Sequence, residues 1–107
     1  AMMDVLIGQG VLAAKGFRAG TAACGIKRSG NTDVVLIAAD QALTGLAMVG
    51  TLNVVCAPSV TRNRAEVSGP NAASIRGVVI NSGCANVATG QQGIDANSEM
   101  ADRAAQL

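Results

Sequence analysis

The stretch NSGCANVATGQQGID, Asn81 to Asp95, joins an apolar run that reads as a strand to a run that reads as a helix. It sets two Asn, a Cys, a Thr and the glycines Gly83, Gly90 and Gly93 between two packed elements. Asn and Gly adopt turn conformations that other residues resist, so one reading is a plain connection. The other reading is chemical. Unpaired N–H groups at a helix start point outward, where they bind an anion or a developing oxyanion. Thr89 adds a hydroxyl donor, and Gly90 lets a substrate approach its N–H closely. Spacing alone leaves both readings open.

Working outward, SIRGVVINSG supplies the strand before the loop, with Val78, Val79 and Ile80 apolar. After the loop, Ala96, Met100, Ala104 and Leu107 recur on one helical face, in a helix expected to start soon after Gly93. Asp95 and Glu99 fall in its early turns and Arg103 later, as the helix dipole favours. The apolar face runs to Leu107 with no Gly cap and no Pro, the pattern of a cut or truncated chain.

Earlier in the chain, the continuous run Val34 to Ala38 suits a strand buried on both faces. Thr21 to Lys27, followed by a Ser-Gly-Asn turn, is expected to pair with it as a hairpin. GLAMVGTLNVVC, Gly45 to Cys56, reads as a further strand with a bulge at Gly50. SVTRNRAEV after Pro58 suits one or two helical turns, broken by SGPN. There are no repeats and no linker. Residues 1–107 therefore form a single domain or part of one, of the mixed α/β (α+β) class, with strands followed by a C-terminal helix.

Half of the 107 residues are hydrophobic, but Phe17 is the only aromatic residue. Aromatic side chains bury the most area, so the core is expected to be thin and to pack against something else. The net charge of +1 leaves no electrostatic footprint for nucleic acid. The basic clusters Arg62/Arg64 and Lys27/Arg28 read as solvated faces. Cys24, Cys56 and Cys84 are odd in number and widely spaced, which indicates neither a disulfide framework nor a CxxC site. Free thiols suit a reducing compartment. The start, AMMDVLIGQG, lacks a signal peptide's charge and apolar length, and no run approaches a membrane span. These features point to a soluble, cytoplasmic protein with no membrane partner.

The chain contains no His, so neither a Ser-His nor a Cys-His pair can be built from it, and no metal site or cofactor is expected. GTAACGIKRS starts like a phosphate-binding loop, but Ile26 and Arg28 break the required Gly-Lys-Ser/Thr. GQGVLA lacks the third Gly and the preceding strand of a dinucleotide fingerprint.

The loop resembles that of the ornithine acetyltransferase (glutamate N-acetyltransferase) family of arginine biosynthesis, whose members carry a loop like NSGNANACTG followed by a Gly and a helix. KGFRAGTAACGIK, DVVLIAAD and GTLNVVCAPSVTRNR are similar to further blocks of that family, in the same order, so the resemblance runs from about Lys15 to Leu107. It implies a four-layer αββα sandwich, to which this chain contributes strands and one helix as the front part of the α chain. It also implies a precursor that cleaves itself before a Thr. That Thr becomes the nucleophile of a β chain, with its own α-amine as base, in a hetero-oligomer such as α2β2. Acetyl then passes from N-acetylornithine to the Thr and on to glutamate, both small amino-acid substrates. The family's oxyanion hole maps onto Thr89 and Gly90. Cys84 stands in place of the loop's usual Asn, and Gly50 and Leu52 in place of the Phe and second Thr of FTTN. The self-cleavage site and the nucleophile have no counterpart in these 107 residues. Two alternatives follow from the same residues: a non-catalytic binding module or inactive fragment of this fold, and a thiol enzyme built on Cys84.

Overall fold

The computed structural model of the chain describes residues 10–43 and 45–107. The stretch read above for targeting signals lies outside these residues as far as position 9. Strands β1 (Phe17–Ala22), β2 (Val34–Ala39) and β3 (Gly77–Asn81) form one sheet in the order β1-β2-β3. Both pairings are antiparallel, and Val34 lies opposite Ala22 on one side and Asn81 on the other. The β2–β3 connection carries helix α1 (Pro58–Ser68) and a 3-10 turn at Ala72–Ser74. Helix α2 (Gly90–Ala105) follows the loop after β3 and packs on β3 and α1. The mixed α/β class and the C-terminal helix are as expected from the sequence. Among the described residues there is one of the two sheets of the expected sandwich.

Each element has a local cause. The β-branched run of β2 favours the central position, where both edges of the strand find partners. Its burial is less than expected: Val34 to Ala38 are half-buried, and only Ala39 is buried. The hairpin is real, but its first strand starts at Phe17, and residues 23–27 leave the ladder. They wrap the carboxylate of Asp33, which accepts N–H bonds from Cys24 and Ile26 at 2.7 Å and from Lys27 at 3.0 Å. Gly25, at φ 82°, makes the curve possible. The phosphate-like loop thus aims its N–H groups at the chain's own carboxylate.

α1 begins with Pro58 in its first turn and runs 11 residues, about three turns. That is longer than the sequence suggested. Gly69 ends it, in a place where an added Cβ would meet the Ala65 carbonyl at 2.6 Å. Arg28 and Arg64 are exposed, as expected of solvated faces, although Arg62, Arg64 and Lys27 also make hydrogen bonds. Arg62 reaches Ser98 O and Asp102 on α2, Arg64 donates to Thr51 O at 2.6 Å, and Lys27 donates to Thr32 O at 3.0 Å.

The strand expected over Gly45–Cys56 does not form among the described residues. Thr51 Oγ1 accepts from Asn53 N, and Asn53 Oδ1 accepts from Val55 N. Such local turns compete with a ladder. Val49, Leu52 and Val54 are 100, 98 and 96% exposed. The core is as thin as the composition predicts: among the described residues Ala39, at 5% exposure, is the one buried apolar residue. The radius of gyration, 15.6 Å, exceeds the roughly 13 Å of a compact domain of this size. No helix among the described residues is long and apolar enough to cross a membrane.

Candidate functional site

The loop from Ser82 to Thr89 is anchored at both ends. At its start, Ser82 N donates to Asp33 O at 2.8 Å. Gly83 turns at φ 98° against the hairpin loop, where an added Cβ would come within 2.8 Å of Lys27 Cγ. Asn81 Nδ2 donates to Cys84 O at 3.4 Å. Asp33 therefore shapes both walls of the loop, and its three N–H donors hold its carboxyl below the usual carboxylate range. Cys24 N makes the largest contribution. At the far end, Thr89 sits between two left-handed residues, Ala88 at φ 55° and Gly90 at φ 67°. Ala88 pays a steric cost there that Gly90 does not.

Thr89 is the N-cap residue of α2, yet its side chain makes no capping hydrogen bond. The first N–H groups of the helix are thus left uncapped by it. The Thr89 hydroxyl instead donates to Asn86 Oδ1. The Asn86 amide is itself oriented, because Nδ2 donates to Gly93 O at 2.8 Å. Gly93 is buried beneath this pair, and an added Cβ would overlap both Thr89 and Asn86. Thr89 and Gly90 remain exposed. The sequence-predicted residues Thr89 and Gly90 thus stand side by side at a helix start, both exposed, with the Thr89 hydroxyl turned onto Asn86 and Gly93.

The structure changes the reading of α2. The helix starts at Gly90, ahead of the start expected after Gly93, so Asp95 and Glu99 lie beyond its first turn, which holds no acid. Asp95 accepts from Gln91 at 2.8 Å, and Glu99 pairs with Arg103 at 2.8 Å. The inward face is Gly93, Asn97, Met100, Ala101 and Ala104, while Ala96 and Leu107 are exposed. Sequence reasoning passed over Asn86, Asn97 and Asp33. The position of Gly93, one turn after Thr89, was the available sign that the loop packs on the helix. Cys84 is an exposed free thiol whose Sγ lies 3.8 Å from Ala85 O.

A three-stranded antiparallel sheet whose last strand feeds a Thr-Gly helix start defines a class, and residues 18–107 match the model of the ArgJ family. The chain belongs to that family. It is 41% identical over 93 residues to the arginine biosynthesis bifunctional protein ArgJ of Deinococcus radiodurans, covering 87% of this chain and 23% of that protein. The protein of the same name from Gloeobacter violaceus is 47% identical over 92 residues, 86% of this chain and 22% of that one. Ornithine acetyltransferase from Mycobacterium tuberculosis, solved with ornithine, superposes with a TM-score of 0.79 at 36% identity. That match covers 90% of this chain and 48% of the solved chain. The ArgJ structure from Bacillus halodurans gives a TM-score of 0.72 at 31% identity, over 84% and 45% of the two chains. The chain thus spans less than a quarter of these curated relatives and corresponds to their N-terminal part.

Proposed function

We propose that this chain is the N-terminal part of an N-acetyltransferase of arginine biosynthesis that moves acetyl from N-acetylornithine to glutamate. Thr89 and Gly90 serve as its oxyanion hole. The observation that carries this reading is the uncapped start of α2, where the exposed residues Thr89 and Gly90 adjoin and the Thr89 side chain makes no capping bond. Oriented donors of this kind stabilise charge that develops only in the transition state.

The nucleophile is a Thr at the start of a β chain released by self-cleavage, and the two chains assemble as a hetero-oligomer such as α2β2. The Thr oxygen attacks the acetyl carbonyl, and its proton passes to the α-amine of the same residue. The carbonyl oxygen becomes the oxyanion held at Thr89 and Gly90. Collapse of the intermediate expels the ornithine amine, which takes the proton. The glutamate amine then attacks the acetyl-Thr ester by the same route. The free thiols support a reducing, cytoplasmic setting. The thin core and the exposed apolar residues of 45–56 favour a part of a larger assembly over a self-sufficient binding module.

The test is Thr89→Ala in the protein expressed from its own genetic context, assayed with N-acetylornithine and glutamate. Loss of one such donor is expected to lower kcat by roughly 10²- to 10³-fold. Wild-type turnover in that variant would remove Thr89 from the mechanism.

A further inference from the structure

We propose that Asn86 is the positioning residue of this site, its amide holding the Thr89 hydroxyl in one rotamer in front of the first turn of α2. The inference rests on the oxyanion reading above. Two hydrogen bonds and the absence of one side chain carry it. Asn86 Nδ2 donates to Gly93 O at 2.8 Å, which fixes the side-chain amide and turns Oδ1 toward Thr89. Thr89 Oγ1 donates to that Oδ1. Gly93 has no Cβ where one would overlap both side chains, so the pair sits directly on the helix.

The consequence is chemical. A Thr side chain can occupy up to three staggered wells, and only a well that keeps Oγ1 toward the substrate face is useful to an oxyanion. Asn86 selects one of them while the site is empty. When the tetrahedral intermediate forms, its charged oxygen is a stronger acceptor than an amide oxygen. The hydroxyl then turns its proton from Asn86 to the oxyanion. Asn86 does not touch the reacting atoms. It acts through Thr89, and the loop needs an amide here because one end must donate to Gly93 and the other accept from Thr89.

The test is a double-mutant cycle on acetyl transfer in the protein expressed from its own genetic context, with the nucleophile-bearing partner present. Asn86→Ala is expected to lower kcat by about ten- to a hundredfold, the usual effect of a misplaced group, with KM for the acetyl donor unchanged. In a Thr89→Ala background the same substitution is expected to change kcat no further, because the two residues act as one unit. Wild-type kcat in Asn86→Ala, or losses that multiply in full, would overturn the positioning role while leaving the oxyanion reading intact. Wild-type kcat in Thr89→Ala overturns both. Should Asn86→Ala fail to fold, three-bond couplings at the Thr89 methyl of the unmutated protein decide the matter: a single χ1 rotamer is expected, and rotamer averaging would overturn the proposal.

Discussion

The carboxylate of Asp33 accepts the backbone N–H of Cys24 at 2.7 Å, while the carbonyl of the same Asp33 accepts Ser82 N at 2.8 Å. One residue therefore ties the hairpin loop to the exit of β3, and with it to the loop that leads to Thr89. At 3% exposure Asp33 is one of the most buried residues described.

Asp33→Asn is expected to lower the melting temperature and to speed amide exchange at Cys24, Ile26 and Lys27. An amide has one acceptor oxygen where the carboxylate has two, so its NH2 would face an N–H donor. Because the folded carboxyl titrates below its ordinary range, its stabilisation is fully present above the unfolded value, about 3.9. It is lost as pH falls from there through the depressed folded value. Urea midpoints measured from pH 7 downward should show this acid-side loss, and the Asp33→Asn variant should lack it. Identical pH profiles would contradict the assignment.

Gly93→Ala is expected to displace Thr89 and Asn86, since the new methyl overlaps both. Overpacking of this kind costs about 1–3 kcal/mol. Denaturant unfolding reads the loss of stability, and acetyl transfer reads the loss of geometry.

Gly50→Ala provides the contrast. Its added Cβ would meet the end of the flexible Met48 side chain at 3.2 Å, which can move aside. Restricting the unfolded chain is then expected to raise stability by about 0.4–1 kcal/mol. A clear loss in the denaturant midpoint would show that this segment is packed more tightly than its exposure indicates.

Arg62 joins α1 to α2 through Ser98 O at 3.5 Å and Asp102 at 3.3 Å. Asp102 is mostly exposed, so Asp102→Asn is expected to cost less than about 1 kcal/mol, and less again at high salt. Arg62→Ala should cost more, because it also removes the Ser98 contact and the packed stem of the side chain. Equal losses, compared by urea denaturation at two salt concentrations, would mean that the ion pair alone carries the link.

The elements legible in the sequence are those with a strong local pattern. The Val34–Ala38 run, the Pro58 helix start and the apolar run Val78–Ile80 all appear in the structure. The failures have physical reasons. Gly45–Cys56 has a strand's composition, but Thr51 and Asn53 supply turn bonds and no neighbouring strand among the described residues competes with them. Residues 23–27 look like a continuation of β1 until Asp33 draws their N–H groups away. At the site, Thr89 and Gly90 were legible as a hydroxyl donor and a glycine open to close approach, but the start of α2 at Gly90 was not. Asn86 was not, because its role comes from reaching Gly93 and Thr89 at once.

Composition, hydrophobic runs and turn residues settle from sequence alone that this is a mixed α/β chain with a thin core and a Thr-Gly loop before a helix. Those properties are local, fixed by backbone preference and by the supply of apolar side chains. Packing decided the rest: where α2 begins, which of its faces turns inward, and which partner each loop donor finds. Such choices depend on contacts between residues distant in the chain, as when Ser82 meets Asp33 and Arg62 meets Ser98, and no local pattern encodes them.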